Sequence, residues 1–497
     1  MYCRAGIFAL LVFAFVACSG GGGSSAPATT PISPWSKFRR DEANSGVAGV
    51  PLAKDFSNPP GVAPQVRSYQ AGPDPILASP AIGLDHTVYF ATAGQSAGTL
   101  LALKPQTSTT GALTLKWSAN QCAPATQAAV PFGPIRSSPA VTAVRSGLPL
   151  SASSDKVIFF GDDLGRFYAM QDLGTDSPIC KWYFAVPDGG AIVSSPTFVI
   201  QPQQELISAV FFGTTNGVFY ALNGDGSLKW KYTVPQGRAI TASPLLNTGG
   251  PIYFPAADGY LYALSLDGTF LFRTLVGAVS ATFASSPLLS ADVVIGTEDG
   301  AITALLLNGT LSWRVSTNGT PANPIVSSLG VGLTAVAPPL PTPRPTTPGT
   351  PVPRSTSTPT PTPTPASQAR TIIYVVDRTG TVYALDEFTG QPISGVTIAS
   401  GGAPTSSSPA ISSDGCIIFG DDAGMLNVLH LDTIYGAMTP TPTVTPVSSS
   451  SSECVTRILD LTHGAAIHSS PAIDSGGVVY VGADDGRIYA IGTGANP

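Results

Sequence analysis

The apolar positions of this chain fall in short runs of strand length, and the runs recur in one order. In the clearest copy the order is Ser194-Ser195-Pro196, then Val210-Phe211-Phe212-Gly213, then Asn216-Gly217-Val218-Phe219-Tyr220-Ala221-Leu222, then Ser227-Leu228-Lys229-Trp230. The second runs are β-branched and aromatic, as in Val157-Ile158-Phe159-Phe160, Ile373-Tyr374-Val375-Val376 and Val478-Val479-Tyr480-Val481, which fits a pleated strand. Pairs such as Asp258-Gly259, Asp299-Gly300, Thr379-Gly380 and Asp485-Gly486 follow and supply the positive φ of a tight hairpin. The third runs read Tyr260-Leu261-Tyr262-Ala263-Leu264 or Arg487-Ile488-Tyr489-Ala490-Ile491, and the fourth often carry Trp: Trp117, Trp182, Trp230 and Trp313. No stretch shows helical periodicity. The pattern predicts a four-stranded meander, repeated.

Eight openings mark eight copies: Ser79-Pro80, Ser138-Pro139, Ser195-Pro196, Ser243-Pro244, Ser286-Pro287, Ser328-Leu329, Ser408-Pro409 and Ser470-Pro471. The shortest spacing, 42 residues from Ser286 to Ser328, is the length of one propeller blade. The prediction is an all-β, eight-bladed β-propeller of four-stranded antiparallel blades, occupying residues 34–497 and closed into a ring that exposes few strand edges. The last copy ends its third run at Ile491, six residues from the C-terminus, so its fourth strand must come from elsewhere. Pro34-Trp35-Ser36-Lys37-Phe38 is expected to supply it, because Trp35 matches the Trp of the other fourth strands.

Residues 1–17 read as a secretion signal, with Arg4 followed by a 13-residue apolar run from Ala5 to Ala17, too short to span a bilayer. The run ends Phe15-Val16-Ala17-Cys18, similar to a bacterial lipobox with Phe in place of Leu. Cys18 is expected to be lipidated and to become the mature N-terminus. Residues 18–33 form a Gly-, Ser-, Thr- and Pro-rich tether, and Ser19, which is not Asp, favours the outer membrane. With Cys3 lost with the signal, Cys122, Cys180, Cys416 and Cys454 remain. An even count in an exported chain suggests two disulfides, Cys122–Cys180 and Cys416–Cys454.

Two low-complexity inserts interrupt the pattern. Residues 338–366, with alternating Thr-Pro, lie between the first and second strands of copy six, and residues 438–452 lie between the third and fourth strands of copy seven. Such segments favour polyproline II and cannot pack a core. Both connections leave a meander on the same side, so both inserts are expected to project from one face. They read either as tolerated loop growth or as a glycosylated or spacer-like protrusion.

The opening Trp35-Ser-Lys-Phe38-Arg-Arg-Asp41-Glu-Ala-Asn44-Ser-Gly46, followed by the eight copies, resembles the PQQ-type β-propeller repeat over roughly residues 34–497. That family includes quinoprotein dehydrogenases and the propeller lipoprotein of the outer-membrane barrel-assembly machine, so the resemblance implies the fold and leaves enzyme and scaffold open. Its enzymes bring an adjacent-cysteine disulfide, calcium-ligating acids and a catalytic Asp. This chain has no Cys-Cys pair.

The residues just before the openings, which should line the channel mouth, are uncharged except Arg136 and His468. These two are the binding candidates there, against a plainer reading as solvated loop residues. The turn acids Asp162, Asp163, Asp258, Asp299, Asp421, Asp422, Asp484 and Asp485 lack the spacing of a calcium loop and are expected to serve their turns. The fourth-strand Trp residues are expected to pack between blades. His86, His430, His463 and His468 stand in no hydrolase or metallohydrolase motif.

Charged residues make up 11% and the net charge is −6, which leaves no electrostatic footprint for nucleic acid. The expectation is an exported, lipid-anchored scaffold of the cell envelope with a protein or cell-wall partner. It needs no catalytic residue, cofactor or metal, and meets the membrane through its anchor alone. A quinone-dependent periplasmic dehydrogenase and a saccharide-binding surface protein are the alternatives.

Overall fold

Eight four-stranded antiparallel sheets stand in a ring, one for each copy of the repeat. The computed structural model describes residues 35–41, 43–58, 62–105, 111–142, 156–201, 206–277, 285–317, 322–336, 368–399, 403–430 and 456–493. Cys18, the tether, both Thr/Pro inserts and Cys454 lie outside the described residues. Blade 3 shows the plan: Thr197–Gln201, Leu206–Gly213, Val218–Leu222 and Leu228–Thr233, each paired with the next. Blades are numbered here in the order of their Ser-Pro openings. No described helix is long and apolar enough to cross a membrane.

The second and third strands are apolar throughout because each blade is covered on both sides by its neighbours. Phe211, Phe212, Phe219 and Tyr220 are fully buried. Phe212 stacks on Phe167 of blade 2 with ring centroids 4.2 Å apart, and Phe219 stacks on Phe254 of blade 4 at 4.1 Å. The fourth-strand Trp residues lie between blades. Trp182, Trp230 and Trp313 donate Nε1–H to Gly224 O (3.0 Å), Leu266 O (3.0 Å) and Glu387 O (2.9 Å) in the third-to-fourth turn of the following blade. Those indoles press on Gly226, Gly268 and Gly390, all at positive φ, where any Cβ would collide with the ring.

The recurrent serines have one shared task. The backbone N–H of each opening serine donates to the hydroxyl of the next blade's serine: Ser79 to Ser138, Ser138 to Ser195, Ser195 to Ser243, Ser243 to Ser286, Ser286 to Ser328, Ser328 to Ser408 and Ser408 to Ser470. Ser470 N–H donates to Ser79 Oγ at 2.9 Å and closes the circle. All eight serines are buried. The first strands therefore surround the axis, and copy six keeps its place in the circle without its proline.

Ring closure differs from the sequence expectation in one respect. The fourth strand of blade 8 is Val66–Gln70, paired with Arg487–Ile491, and not residues 34–38. Trp35 instead makes a single bridge to Ile82, at the end of the first strand of blade 1, and its ring is fully buried. Matching a Trp by residue type failed because pairing is decided by the backbone. Arg39, Arg40 and Asn44 adopt positive φ, which no strand accommodates.

Candidate functional site

Each blade contributes to two ends of the axis. The first-to-second and third-to-fourth connections form one face, called here the plug face. The second-to-third turns and the blade-to-blade connections form the other, called here the mouth face.

The segment from Trp35 to Ala53 runs across the plug face and touches seven of the eight blades. Backbone bonds join Ile82 N–H to Trp35 O (2.7 Å), Val141 N–H to Ser36 O (2.6 Å), Leu289 N–H to Ala43 O (2.9 Å) and Val331 N–H to Ser45 O (3.1 Å). Ile411, Ser413 and Gly477 continue the series through Gly46, Val50 and Ala53. Two side chains reach inward to carbonyls of the residues that follow the ring serines. Arg39 donates to Leu329 O and Pro409 O. Asn44 donates to Pro287 O at 2.9 Å and Pro244 O at 3.3 Å, and its Oδ1 accepts from Lys37 Nζ at 3.0 Å.

Lys37, Arg39 and Asn44 are all buried. Burial pushes the Arg39 guanidinium down to about 9, with Asp41 pulling the other way, so it remains a cation at neutral pH. Gly46, at φ 65°, passes directly against that guanidinium, where a Cβ has no room. The segment is thus an intramolecular plug held by carbonyls the ring would otherwise leave bare. Sequence reading missed it. The available signal was a polar run without period 2, Lys37 to Asn44, placed before the first repeat.

At the mouth face the structure places Arg136 and His468 at the positions expected, but neither is merely solvated. Arg136 forks onto Asp163, with Nε to Oδ1 3.0 Å and a second contact of 2.8 Å. His468 stands between two blades' turns: Nδ1 lies 3.1 Å from Asp484 Oδ1, and Nε2 lies 3.5 Å from Asp422 Oδ1. Arg378 of blade 6 reaches Asp422 Oδ2 at 3.2 Å. The bond to Asp484 and the fields of Asp484 and Asp422 raise the His468 pKa above its ordinary value, against burial and Arg378. The network ties blades 6, 7 and 8 together. Arg136 and His468 stand on blades 2 and 8, with blade 1 between them, and each pairs with acids of its own neighbourhood.

The turn acids divide into two groups. Asp162, Asp377 and Asp421 accept backbone N–H groups within their own turns. Asp162 and Asp377 also hold the Tyr hydroxyls of the third strand, Tyr168 at 2.7 Å and Tyr383 at 2.8 Å. Asp163 and Asp422, one residue further on, and Asp484, one residue before the turn acid Asp485, pair with the mouth cations instead. For these three the turn reading needs correction. Their position next to a turn acid, in turns that share the mouth face with the pre-serine cations, was the signal. Among the described residues no cluster of three His, Cys, Asp or Glu has metal-ligand spacing.

Blades 1 and 2 are joined differently from the others. Cys122 and Cys180 are bonded, with Cα atoms 5.2 Å apart, and Cys180 lies inside the fourth strand, Ile179–Ala185, rather than before it. Among the described residues Trp117 finds no acceptor for its buried Nε1–H. Lys116 and Tyr89 from blade 1 instead meet the fully buried Asp172 of blade 2, each at 2.7 Å. The disulfide and this ion pair stand where blades 2, 3 and 5 use a tryptophan on the next blade's glycine turn. Cys416 is fully buried and disulfide-bonded.

Comparison with known proteins bears on this geometry. Residues 202–332 match the family model for outer membrane protein assembly factor BamB. BamB from Moraxella catarrhalis is 14% identical over 87% of this chain and 98% of its own, with a TM-score of 0.51. The computationally designed Ika8 protein is 14% identical over 86% and 99%, at 0.53. A europium-containing methanol dehydrogenase is 12% identical over 91% of each chain, at 0.54. No curated protein matches. Identities this low carry the fold alone, and a designed protein, an assembly factor and a dehydrogenase share it. With eight serine-linked blades, the chain is an eight-bladed β-propeller whose central repeats, residues 202–332, match the BamB family model.

Proposed function

We propose that this chain is a non-catalytic interaction scaffold of the bacterial cell envelope, exported and held to the membrane by a lipid on Cys18. The observation that carries the reading is the plug. Trp35 to Ala53 crosses the axis, and Arg39 and Asn44 occupy the carbonyls just before the first strands on four successive blades, 4 to 7. The quinone that the resemblance implies is a tricarboxylate. It would need unengaged cations at the open end, whereas Arg136, Arg378 and His468 are each paired with Asp163, Asp422 or Asp484. The residues present do not fit that group. A rigid disc with a sealed axis and paired charges around its mouth suits a protein surface better than a small anionic cofactor.

The test is photo-crosslinking in cells from the half-exposed Arg136 and from His468, each replaced by a photoreactive residue. The reading predicts a discrete protein adduct from at least one position, absent from the outer-edge control Leu275. Lack of any protein adduct from the whole mouth face, together with release of the chain from membranes without detergent, would count against it.

A further inference from the structure

Exposed large apolar side chains are distributed unevenly between the two faces. Leu228, Phe270, Leu271, Leu307, Leu311 and Phe388 are all more than 40% exposed. All six stand in the third-to-fourth turns or at the first residues of the fourth strands of blades 3 to 6, which is the plug face. At the mouth-face ends of their blades, among the described residues, such side chains are Leu164 and Leu275.

The six lie on four neighbouring blades. Each third-to-fourth turn sits on the fourth strand of the blade before it. Gly309, two residues after Leu307, covers Phe272, while Thr274 Oγ1 donates to Gly309 O at 2.8 Å. Gly390, two after Phe388, covers Trp313. The turn carrying Leu307 therefore abuts the fourth strand of blade 4 at Phe272 and Thr274, the turn carrying Phe388 abuts Trp313 in the strand that begins at Leu311, and the Phe270 ring faces the other way, stacked on Tyr232 of blade 3 with centroids 5.9 Å apart. Exposed apolar surface gathered on one face in this way marks an interface.

The chain itself indicates the occupant. Trp35 lies on the plug face, at the axis, and Cys18 is 17 residues upstream. Even fully extended, 17 residues span at most about 60 Å, and a Gly/Ser-rich chain averages roughly 20–25 Å. A lipid on Cys18 would join the disc's chain from the plug side, since the described chain begins there at Trp35.

We infer that the apolar arc on blades 3 to 6 rests on the membrane surface, so that the disc lies with its plug face toward lipid and its charged mouth turned away. This rests on the lipid-anchor reading above and goes beyond it, since there the acyl chains alone meet the membrane. The charges interspersed in the arc include Asp225, Asp267 and Asp386, each held by Ser or Thr groups of its own turn. Their sign disfavours anionic headgroups. The surface suits a neutral bilayer, with leucine and phenylalanine entering the headgroup boundary.

The experiment uses the full mature chain on phosphatidylcholine vesicles carrying a diazirine on the acyl chains, with adducts mapped by peptide mass spectrometry. Adducts should concentrate on peptides containing Leu271, Leu307, Leu311 and Phe388, at least tenfold above those containing Leu164 or Leu275. The surface double variant Leu307→Glu/Phe388→Glu should lose them while keeping its circular dichroism and its vesicle attachment. An acylated, vesicle-bound protein whose adducts are spread evenly, or absent from the arc, would overturn the inference. Intact mass separates the two readings. If no acyl chain is present, the anchor reading fails, and the arc is judged by flotation of the unacylated chain on the same vesicles. Flotation abolished by the double variant supports the arc, and no flotation refutes it.

Discussion

Ser470 donates its backbone N–H to the hydroxyl of Ser79 at 2.9 Å, across 391 residues of sequence, and so completes a circle of eight such bonds. The bond joins the last first strand to the first one, independently of the outer closure by Val66–Gln70. A propeller is a chain of pairwise blade contacts, so the seam where its ends meet is the place to open. Here the seam is bonded at the axis, by the serine circle, and at the rim, by the closing strand. The N-terminal plug then adds a third tie, running from blade 1 at Trp35 to blade 8 at Ala53.

Replacing Ser470 by Ala leaves the buried N–H of Ser408 without its acceptor. Abandoning a buried donor costs about 1–3 kcal/mol. The variant is expected to unfold at lower denaturant concentration by that amount with the same dependence on denaturant, which chemical unfolding measures. Ser265→Ala, in an exposed turn, serves as control and should change stability by less than about 0.5 kcal/mol.

His468 gives the mouth network a pH dependence of definite sign. Its folded pKa is raised by Asp484 and Asp422, so the stabilisation is full below the unfolded value near 6.5 and is lost as pH rises through the folded value. His468 is about one-third exposed, and solvent screening limits the effect to under about 1 kcal/mol. The difference in stability between wild type and His468→Ala should shrink as pH rises from 5.5 to 8.5. A difference that grows over that range would mean the two carboxylates do not govern the imidazole.

Two disulfides are expected, Cys122–Cys180 and Cys416–Cys454. Non-reducing peptide mapping should recover both linked peptides. The Cys122–Cys180 link closes 58 residues, a loop whose closure contributes about 4 kcal/mol in the chain-entropy account. Reduction should lower the thermal midpoint. Blades 1 and 2 should loosen first, because Trp117 lacks the glycine turn that secures the other tryptophans. Free thiols at all four positions would contradict the pairing.

Replacing residues 338–366 by a short Gly-Ser turn should leave the circular dichroism and midpoint nearly unchanged. The flanking strands Gly330–Val336 and Gln368–Val376 are paired with each other along seven positions without the insert, and shortening a loop lowers its closure cost only slightly, roughly 0.6 kcal/mol per halving. Collapse of the fold on deletion would show that the insert packs on the blades.

Most of the fold was legible because the repeat places the same demand on the same position eight times. Serines face serines at the axis, glycines sit under tryptophans, and second strands sandwiched between blades are apolar on both sides. Features that occur once were harder to read. The choice between Trp35 and Val66–Gln70 as closing strand depended on pairing with Arg487–Ile491, a contact more than 400 residues away. Arg136 and His468 were found from their position before the serines. Their partners Asp163, Asp422 and Asp484 were hidden, since an acid beside a turn acid looks like more turn. The plug was hidden more fully, because its carbonyl partners, from Pro244 to Pro409, carry no side-chain signal at all.

The central proposal is that the chain's own segment closes one end of the axis and that the mouth, its cations paired, takes no quinone. Its most direct test is calorimetric titration of the purified mature protein with pyrroloquinoline quinone and calcium, followed by dye-linked assay with a primary alcohol. The account predicts no saturable heat, no calcium-dependent rise in melting temperature and no turnover. Stoichiometric quinone binding with alcohol oxidation would contradict it.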